Sequence, residues 1–375
     1  MSDTKARSIS PTDQPVDERV QSVGHLKKFL GRPEFGAVAG AILVMVFFAF
    51  AAGGTGMFSA IGVINFLEVA AQLGIIAVAA ALLMIGGEFD LSIGSMIGFV
   101  GMLIAIPAVE YGWPLWSALL FGFSLALLVG ALNGWLVMRT GLPSFIVTLG
   151  FLFILRGLAI GLPRMFTDRT QIGGIHDTMQ NDWLAPLFSG EVGTGLFRWL
   201  ADIGVIGTNF AGNPIVNGIP VSIVWWLGLT VLATWILLGT RFGNWIFACG
   251  GDPNAARNVG VPVKRVKIIL FMFTALCAAI YACLQVMDTG SADSMRGMLK
   301  ELQAIIAVVI GGALLTGGYG SAIGASFGAL IFGTVQMGIF YTGANTDWFQ
   351  VFLGAMLLIA VLFNNYVRKK ALEAR

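Results

Sequence analysis

Apolar residues run through this chain in blocks of about twenty, divided by short polar breaks. A bilayer core of ~30 Å is crossed by about 20 helical residues. Lipid offers no partner to a backbone amide, so such blocks are expected to be helices. The pattern predicts ten spans: 35–52, 69–85, 91–109, 114–138, 144–162, 219–239, 266–286, 302–315, 322–341 and 348–367. One long hydrophilic loop, 163–218, separates the fifth from the sixth. Only short breaks divide the second span from the third and the eighth from the ninth. Each of those pairs is either two full spans or a set of broken helices.

Composition excludes a soluble domain. Hydrophobic residues make up 57% and charged residues 11% of the chain, against about 25% charge in soluble proteins. The fold class is therefore all-α, a polytopic helical membrane protein. The 50 glycines suit helices whose backbones approach closely. A net charge of +2 says little, but its distribution sets an orientation. Lys27, Lys28 and Arg32 precede the first span, and Arg368, Lys369 and Lys370 follow the last. Arg139 follows the fourth, and Arg241, Arg257, Lys264, Arg265 and Lys267 crowd the connection after the sixth. All are expected on the cytoplasmic side, which puts both termini inside and requires an even number of spans. The loop 163–218 then lies outside, and it carries Asp168, Asp177, Asp182, Glu191 and Asp202 against Arg164, Arg169 and Arg198. Its aromatic runs, around Trp183 to Phe188 and Leu196 to Leu200, read as interfacial anchors or as a docking shelf. The organisation expected is a disordered cytoplasmic tail over 1–34 with no cleavable signal, a transmembrane domain over 35–367, and a basic cytoplasmic tail over 368–375.

Several chemistries find no support. Cys249, Cys277 and Cys283 have no CxxC spacing and read as buried small hydrophobes. His25 and His176 are far apart in polar segments, so a metal site is not expected. No GxxxxGK[ST] phosphate loop and no cluster of nucleophile and base occurs. The chain is expected to be neither an ATPase nor another enzyme.

The polar residues within the apolar pattern are the informative ones. Gly86-Gly87-Glu88-Phe89-Asp90-Leu91-Ser92-Ile93-Gly94-Ser95 sets two carboxylates between two spans. A charge at membrane depth costs roughly 2.5–3.5 kcal/mol on insertion scales. The stretch is thus a turn at the membrane edge or a functional break inside the bundle. Glu88, Asp90, Ser92, Asn133, Ser144, Phe145 and Thr148 are the candidates for a substrate path, as the hydrogen-bonding and aromatic side chains at these breaks. Their bland alternatives are capping of the third span for Glu88 and Asp90, and interhelical hydrogen bonds for Asn133 and Thr148. Arg156 lies inside the fifth span and is expected to pair with an acidic residue or reach a polar interface. Gly320, Gly324 and Gly328 form a small-residue stripe, for packing within one subunit or between two. A faint echo links Ile75-Ile76-Ala77-Val78 and Gly86-Gly87 with Ile305-Ile306-Ala307-Val308 and Gly317-Gly318.

The connection Cys249 to Pro262 carries helix start and stop signals. Asp252 is a good N-cap with Pro253 at the first helical position, and Gly260 and Pro262 end the element. A short helix over 253–259, outside the bilayer, is predicted. Held by two spans, it could act as a lever.

These motifs together resemble the permease subunit of bacterial ABC importers for monosaccharides, the ribose, xylose, arabinose and galactofuranose type. Glu88 to Ser95 is similar to that family's Gly-Gly-Ile-Asp-Leu-Ser-Val-Gly-Ser signature. Asn133-Gly134, Leu142 to Gly150, Gly250 to Lys267 and Ala307 to Gly312 also look like family motifs, in the family's order over residues 60–365. Asn254-Ala255-Ala256 and Gly260 sit at the spacing of the Glu-Ala-Ala…Gly coupling loop, with Asn254 in place of the glutamate. The resemblance implies an importer permease of the bacterial inner membrane, working as a homodimer. A cytoplasmic ABC ATPase that binds ATP-Mg would dock on Gly251, Asp252, Pro253, Asn254, Ala255, Ala256, Arg257 and Gly260. A periplasmic sugar-binding protein would deliver cargo, and no cofactor would be bound by this chain. Nucleoside or autoinducer cargo on the same scaffold, and an ion-coupled secondary transporter using Glu88, Asp90 and Arg156, are the alternatives.

Overall fold

Because lipid cannot satisfy a backbone amide, the apolar blocks become helices whose ends mark where polar partners begin. The computed structural model describes residues 33–373 except 181, 211 and 346. Its first five helices are α1 (Pro33–Ala51), α2 (Ala60–Ile85), α3 (Ile93–Ala105), α4 (Leu115–Thr140) and α5 (Ser144–Thr167). A π turn, Ile106–Glu110, extends α3. After the long loop come α9 (Val221–Gly239), α10 (Arg241–Gly251), α11 (Pro253–Asn258), α12 (Val263–Thr289), α13 (Lys300–Ile310), α14 (Ala322–Tyr341) and α15 (Trp348–Glu373). The loop itself holds β1 (Gln171–Gly173), α6 (Ile175–Met179), α7 (Ala185–Phe188), β2 (Glu191–Val192), α8 (Thr194–Asp202) and β3 (Ile219–Pro220). β1 pairs antiparallel with β4 (Ser291–Asp293), Ile172 opposite Ala292, and β2 pairs with β3, Val192 opposite Ile219. The loop is thereby stitched to the end of α12. Phe188 adds a stacked contact with Trp225, whose Nε1 donates to the Leu187 carbonyl at 2.8 Å. The first aromatic run is thus anchored on the protein through Phe188, while Trp183 stays exposed.

Among the described residues, eight helices are long and apolar enough to cross a membrane. The expected tenth span is α15, and the eighth is α13, only 11 residues long. At about 1.5 Å per residue that is roughly half of a bilayer core. Non-helical chain through 311–321 follows it, with Gly311, Ala313, Gly320 and Ser321 buried against the bundle. The second span begins nine residues earlier than the apolar pattern suggests, at Ala60 rather than 69, where its first turn is capped and Asn65 finds a partner. Ser59 Oγ accepts from Gly62 N, and Asn65 donates to the Tyr341 hydroxyl at 3.2 Å. The expected tail 1–34 falls outside the described residues save for Pro33 and Glu34, which begin α1. At the other end α15 remains helical through 368–373.

α2 is buried over most of its length, its apolar surface interrupted by Asn65, Glu68 and Gln72, and lies at the centre, surrounded by α9, α12, α13 and α14. α3 is buried beside it between α4, α5 and α12, while α4, α5 and α9 keep wide exposed apolar faces. Glycines set the close crossings. A Cβ on Gly333 would meet Ala70 N at 2.6 Å, and one on Gly130 would meet the Phe271 carbonyl at 2.7 Å. The Gly324 and Gly328 stripe packs α14 onto α13 within the subunit. Gly320 lies against Ala313 and Ile85 instead.

The echo between the two halves has a structural counterpart, in a shifted register. α2 ends with Glu88 N on the Leu83 carbonyl and Gly87 at φ 82°; α13 ends with Ala313 N on the Val308 carbonyl and Gly312 at φ 89°. Both are Schellman caps with a left-handed glycine. Gly311-Gly312, not Gly317-Gly318, matches Gly86-Gly87.

A Cβ on Gly328 would stand 1.9 Å from the Ala307 carbonyl oxygen, a backbone atom that cannot swing away. Gly328→Val is therefore expected to destabilise by at least the ~1–3 kcal/mol of ordinary overpacking. Gly157→Val, where a Cβ meets nothing within 4 Å, serves as the control. Thermal unfolding of both in detergent, against the parent, checks this; equal midpoints would contradict it.

Candidate functional site: the break between α2 and α3

Residues 86–92 reverse the chain between two buried helices, so their backbone amides need partners other than water. α5 supplies two. Ser144 Oγ accepts from Phe89 N and Thr148 Oγ1 accepts from Leu91 N, both at 3.0 Å. Four residues apart on a helix, the two hydroxyls share one face and meet alternate amides of the extended chain. Asp90 closes an Asx turn: its Oδ1 accepts from Ser92 N at 2.9 Å and from Ser92 Oγ at 2.6 Å. Its Oδ2 accepts from Thr274 Oγ1 of α12 at 2.8 Å. Asn133 of α4 donates to Ser92 Oγ at 3.0 Å. Glu88 forms a buried ion pair with Lys267, four residues into α12. The break is thus gripped from α4, α5 and α12 at once.

Six of the seven candidates for the substrate path meet in this network: Glu88, Asp90, Ser92, Asn133, Ser144 and Thr148, each 8% exposed or less. Their hydrogen bonds go largely to the chain itself. Asp90 orients the entry to α3, whose N-cap is Ser92 rather than a carboxylate, and Glu88 faces Lys267 rather than the helix end. Phe145 stands apart, about half exposed on the outer face of α5. Asn133 Oδ1 and Ser95 Oγ are buried without a partner among the described residues.

Sequence reasoning missed Lys267 and Thr274. Lys267 was counted among the basic residues marking one side of the membrane, yet it is 5% exposed and neutralised. The signal was its position: Val263, Val266, Leu270, Phe271 and Thr274 place it on the buried stripe of α12.

The connection after α9 touches the base of this break. α10, unforeseen as a helix, is capped by Thr240 Oγ1 accepting from Gly243 N at 3.1 Å. It lays Ile246 and Cys249 against the bundle. Burial pushes the Cys249 thiol up from its ordinary value, against the pull of the Lys267 and Arg257 cations. Gly250 then reaches the end of α2. A Cβ there would stand 1.8 Å from the Ile85 carbonyl oxygen and 2.5 Å from Gly318 N. Gly318 N donates to that same carbonyl at 2.8 Å. α11 follows as predicted, with Asp252 Oδ1 accepting from Asn254 N at 2.8 Å and Ala255 N at 3.0 Å. Gly260 ends it at φ 87°. Of the expected coupling residues, Ala256 faces inward and is buried. Gly251, Asp252, Asn254, Ala255, Arg257 and Gly260 are exposed, and Pro253 is half-buried. Val259, at the tip, is 80% exposed.

Lys267→Ala strands the Glu88 carboxylate in the interior and is expected to cost about 3–5 kcal/mol. Glu88→Gln combined with Lys267→Met removes both charges and is expected to recover most of that loss. Thermal stability of the purified single and double variants reads the difference. A double variant no more stable than Lys267→Ala would contradict the pairing.

A family model described as "Branched-chain amino acid transport system / permease component" matches residues 62–361. The xylose transport system permease protein XylH of Escherichia coli K12 is 32% identical, over 92% of this chain and 94% of its own. The fructose import permease protein FrcC of Rhizobium meliloti is 30% identical, over 88% and 84%. The xylose/arabinose import permease protein XylH of Sulfolobus acidocaldarius is 28% identical, over 89% and 85%.

Proposed function

The chain belongs to this family of transport-system permease components, and from that premise we propose that it forms the membrane path of an ATP-driven importer for a monosaccharide. The sugar class comes from the relatives, which align over 84–94% of their own length and carry xylose, fructose or arabinose in their names. The assembly is two copies of this chain in a bacterial inner membrane, a cytoplasmic ATPase that binds ATP-Mg, and a binding protein outside. The domain is 35–367, with the coupling connection over 240–265 on the cytoplasmic side and the loop over 163–218 facing the binding protein.

One observation carries the reading: α11 is a capped six-residue helix with Ala256 seated on the bundle and its outer face exposed, and its two flanks grip the break. Gly250, upstream, abuts Ile85 and Gly318, while Lys267, downstream, holds Glu88. A push on α11 therefore reaches α2, α3 and α12 without passing through a flexible loop. ATP-driven closure of the motor domains would shift this lever and tilt the spans. The two states must differ in free energy, and ATP and binding-protein contacts supply that difference better than sugar affinity does. In this frame Asp90, Ser92, Asn133, Ser144 and Thr148 keep the break rigid enough to transmit movement. The ion-coupled alternative relied on Glu88 and Asp90, and these are already engaged, Glu88 by Lys267 and Asp90 by Ser92 and Thr274.

The docking face is Asn254, Ala255, Arg257, Asn258 and Val259, all exposed. Ala256 is unsuitable for testing because a larger side chain there would disturb packing, and Gly260 because its backbone is left-handed. Ala255→Arg and Val259→Asp alter the face alone. Each is expected to abolish co-purification of the ATPase and ATP-dependent uptake, at unchanged permease yield. Normal uptake by the double variant would overturn the assignment of α11 as the coupling helix.

A further inference from the structure

A small polar cavity lies where the long loop packs onto α2, the start of α9 and the last turn of α12. Neither the break nor the coupling connection uses it. Glu68 and Gln72 of α2, Ser222 of α9 and Asp288 of α12 line it, joined by Ser189 and Gly190 of the loop. The space inside, about 20 Å3, holds roughly one water-sized sphere. A monosaccharide does not fit there, whereas a single ion or water does.

The lining is rich in oxygen and lacks a counter-charge. Glu68 lies more than two turns into α2, and Gln72 follows four residues later on the same face. Among the described residues Glu68, Gln72 and Asp288 make no hydrogen bond and no ion pair. No lysine, arginine or histidine lines the cavity. Two carboxylates on one small space repel each other unless a positive charge lies between them, and a carboxylate within a span is costly when unmatched. Ser222 supplies a second, separate sign. It is 7% exposed, and its Oγ, the one polar atom of its side chain, is buried without a partner. Buried hydroxyls are ordinarily satisfied. Ser189, in the same wall, donates its hydroxyl to the Ala185 carbonyl at 3.1 Å. The start of α9 and the end of α12 meet here, so their dipoles offset and leave the carboxylates to set the local field. Water would fill the space but leave that charge unmatched.

We propose that this cavity binds one calcium ion, held by the Glu68 and Asp288 carboxylates, Gln72 Oε1 and Ser222 Oγ, with water completing the shell. Carboxylate, amide and hydroxyl oxygens are hard ligands, and calcium accepts such mixed and irregular sets where magnesium demands a near-ideal octahedron. No group of three or more His, Cys, Asp or Glu able to hold a metal occurs among the described residues. The site is therefore a two-carboxylate one, and a low ligand charge places it at the weak end of calcium affinities, on the order of 10⁻⁴–10⁻³ M. The ion would clip α2, α9 and α12 together beneath the loop, beside the bond from Val221 N to the Gly190 carbonyl at 3.1 Å. The assignment does not depend on the importer reading.

The test uses the full chain in detergent, stripped with a chelator and dialysed against radioactive Ca2+ with Mg2+ and K+ present. One Ca2+ per chain is expected, with a rise in thermal unfolding midpoint on adding it. Glu68→Gln and Asp288→Asn are each expected to weaken binding at least tenfold and to remove the thermal rise. Asp202→Asn, an exposed acid elsewhere in the loop, is expected to change neither. Size-exclusion profiles matching wild type confirm that the variants are folded. No saturable binding by wild type up to about 10 mM Ca2+, ten times the weakest value expected, would overturn the proposal, leaving a cavity that holds water. So would binding that survives in both carboxylate variants, which would put the ion elsewhere. Complete displacement of Ca2+ by equimolar Mg2+ would overturn the assignment to calcium.

Discussion

A single buried ion pair organises the centre of this protein. Glu88 and Lys267 lie more than 170 residues apart in sequence and join the end of α2 to the start of α12. Desolvating two charges is costly, and such a pair is seldom a net source of stability compared with apolar packing. Its value here is positional. It fixes where the chain leaves α2, which decides the path of residues 88–92 and the entry into α3. Asp90, Ser92, Asn133, Ser144, Thr148 and Thr274 then satisfy the polar groups that this path exposes.

The glycine junction beneath the pair has the same logic. Gly87, Gly250, Gly317 and Gly318 bring three backbone segments within contact of one another and of the Ile85 carbonyl. Side chains would hold these segments apart and let them slide. Backbone in direct contact is stiff, so α10 and α11 are extensions of the core rather than appendages. A lever is effective only if its root is rigid, and this root is backbone packed on backbone.

Much of the architecture was legible in the sequence, because lipid enforces long apolar helices and the chain declares its caps. Asp252, Pro253 and Gly260 announced α11, and its observed bounds agree within a residue. The half-length of α13 was not legible, since the apolar pattern continues past Gly311-Gly312 into residues that pack without a helix. α10 was hidden because Phe242, Ile246 and Cys249 make a short stripe inside a segment rich in charge. For the site, the polar residues singled out did converge, but as mutual partners around one break. Which atoms remain free after folding depends on residues far apart in sequence. Lys267 satisfies Glu88, whereas Glu301 Oε2 is left without a partner among the described residues, and spacing alone cannot separate those outcomes.

The central claim is that α11 and the break move as one body. Spin labels at Val259 and Phe145, both exposed, would report on it directly in the assembled importer. Val259 marks the tip of the lever, and Phe145 adjoins Ser144, which holds the break. Pulsed electron–electron distance measurements would be made without nucleotide and with ATP trapped. The account predicts an unchanged distance between these labels, together with a changed distance from Val259 to a label at Trp199 on α8. A Val259–Phe145 distance that shifts with nucleotide, while Val259–Trp199 stays fixed, would contradict it.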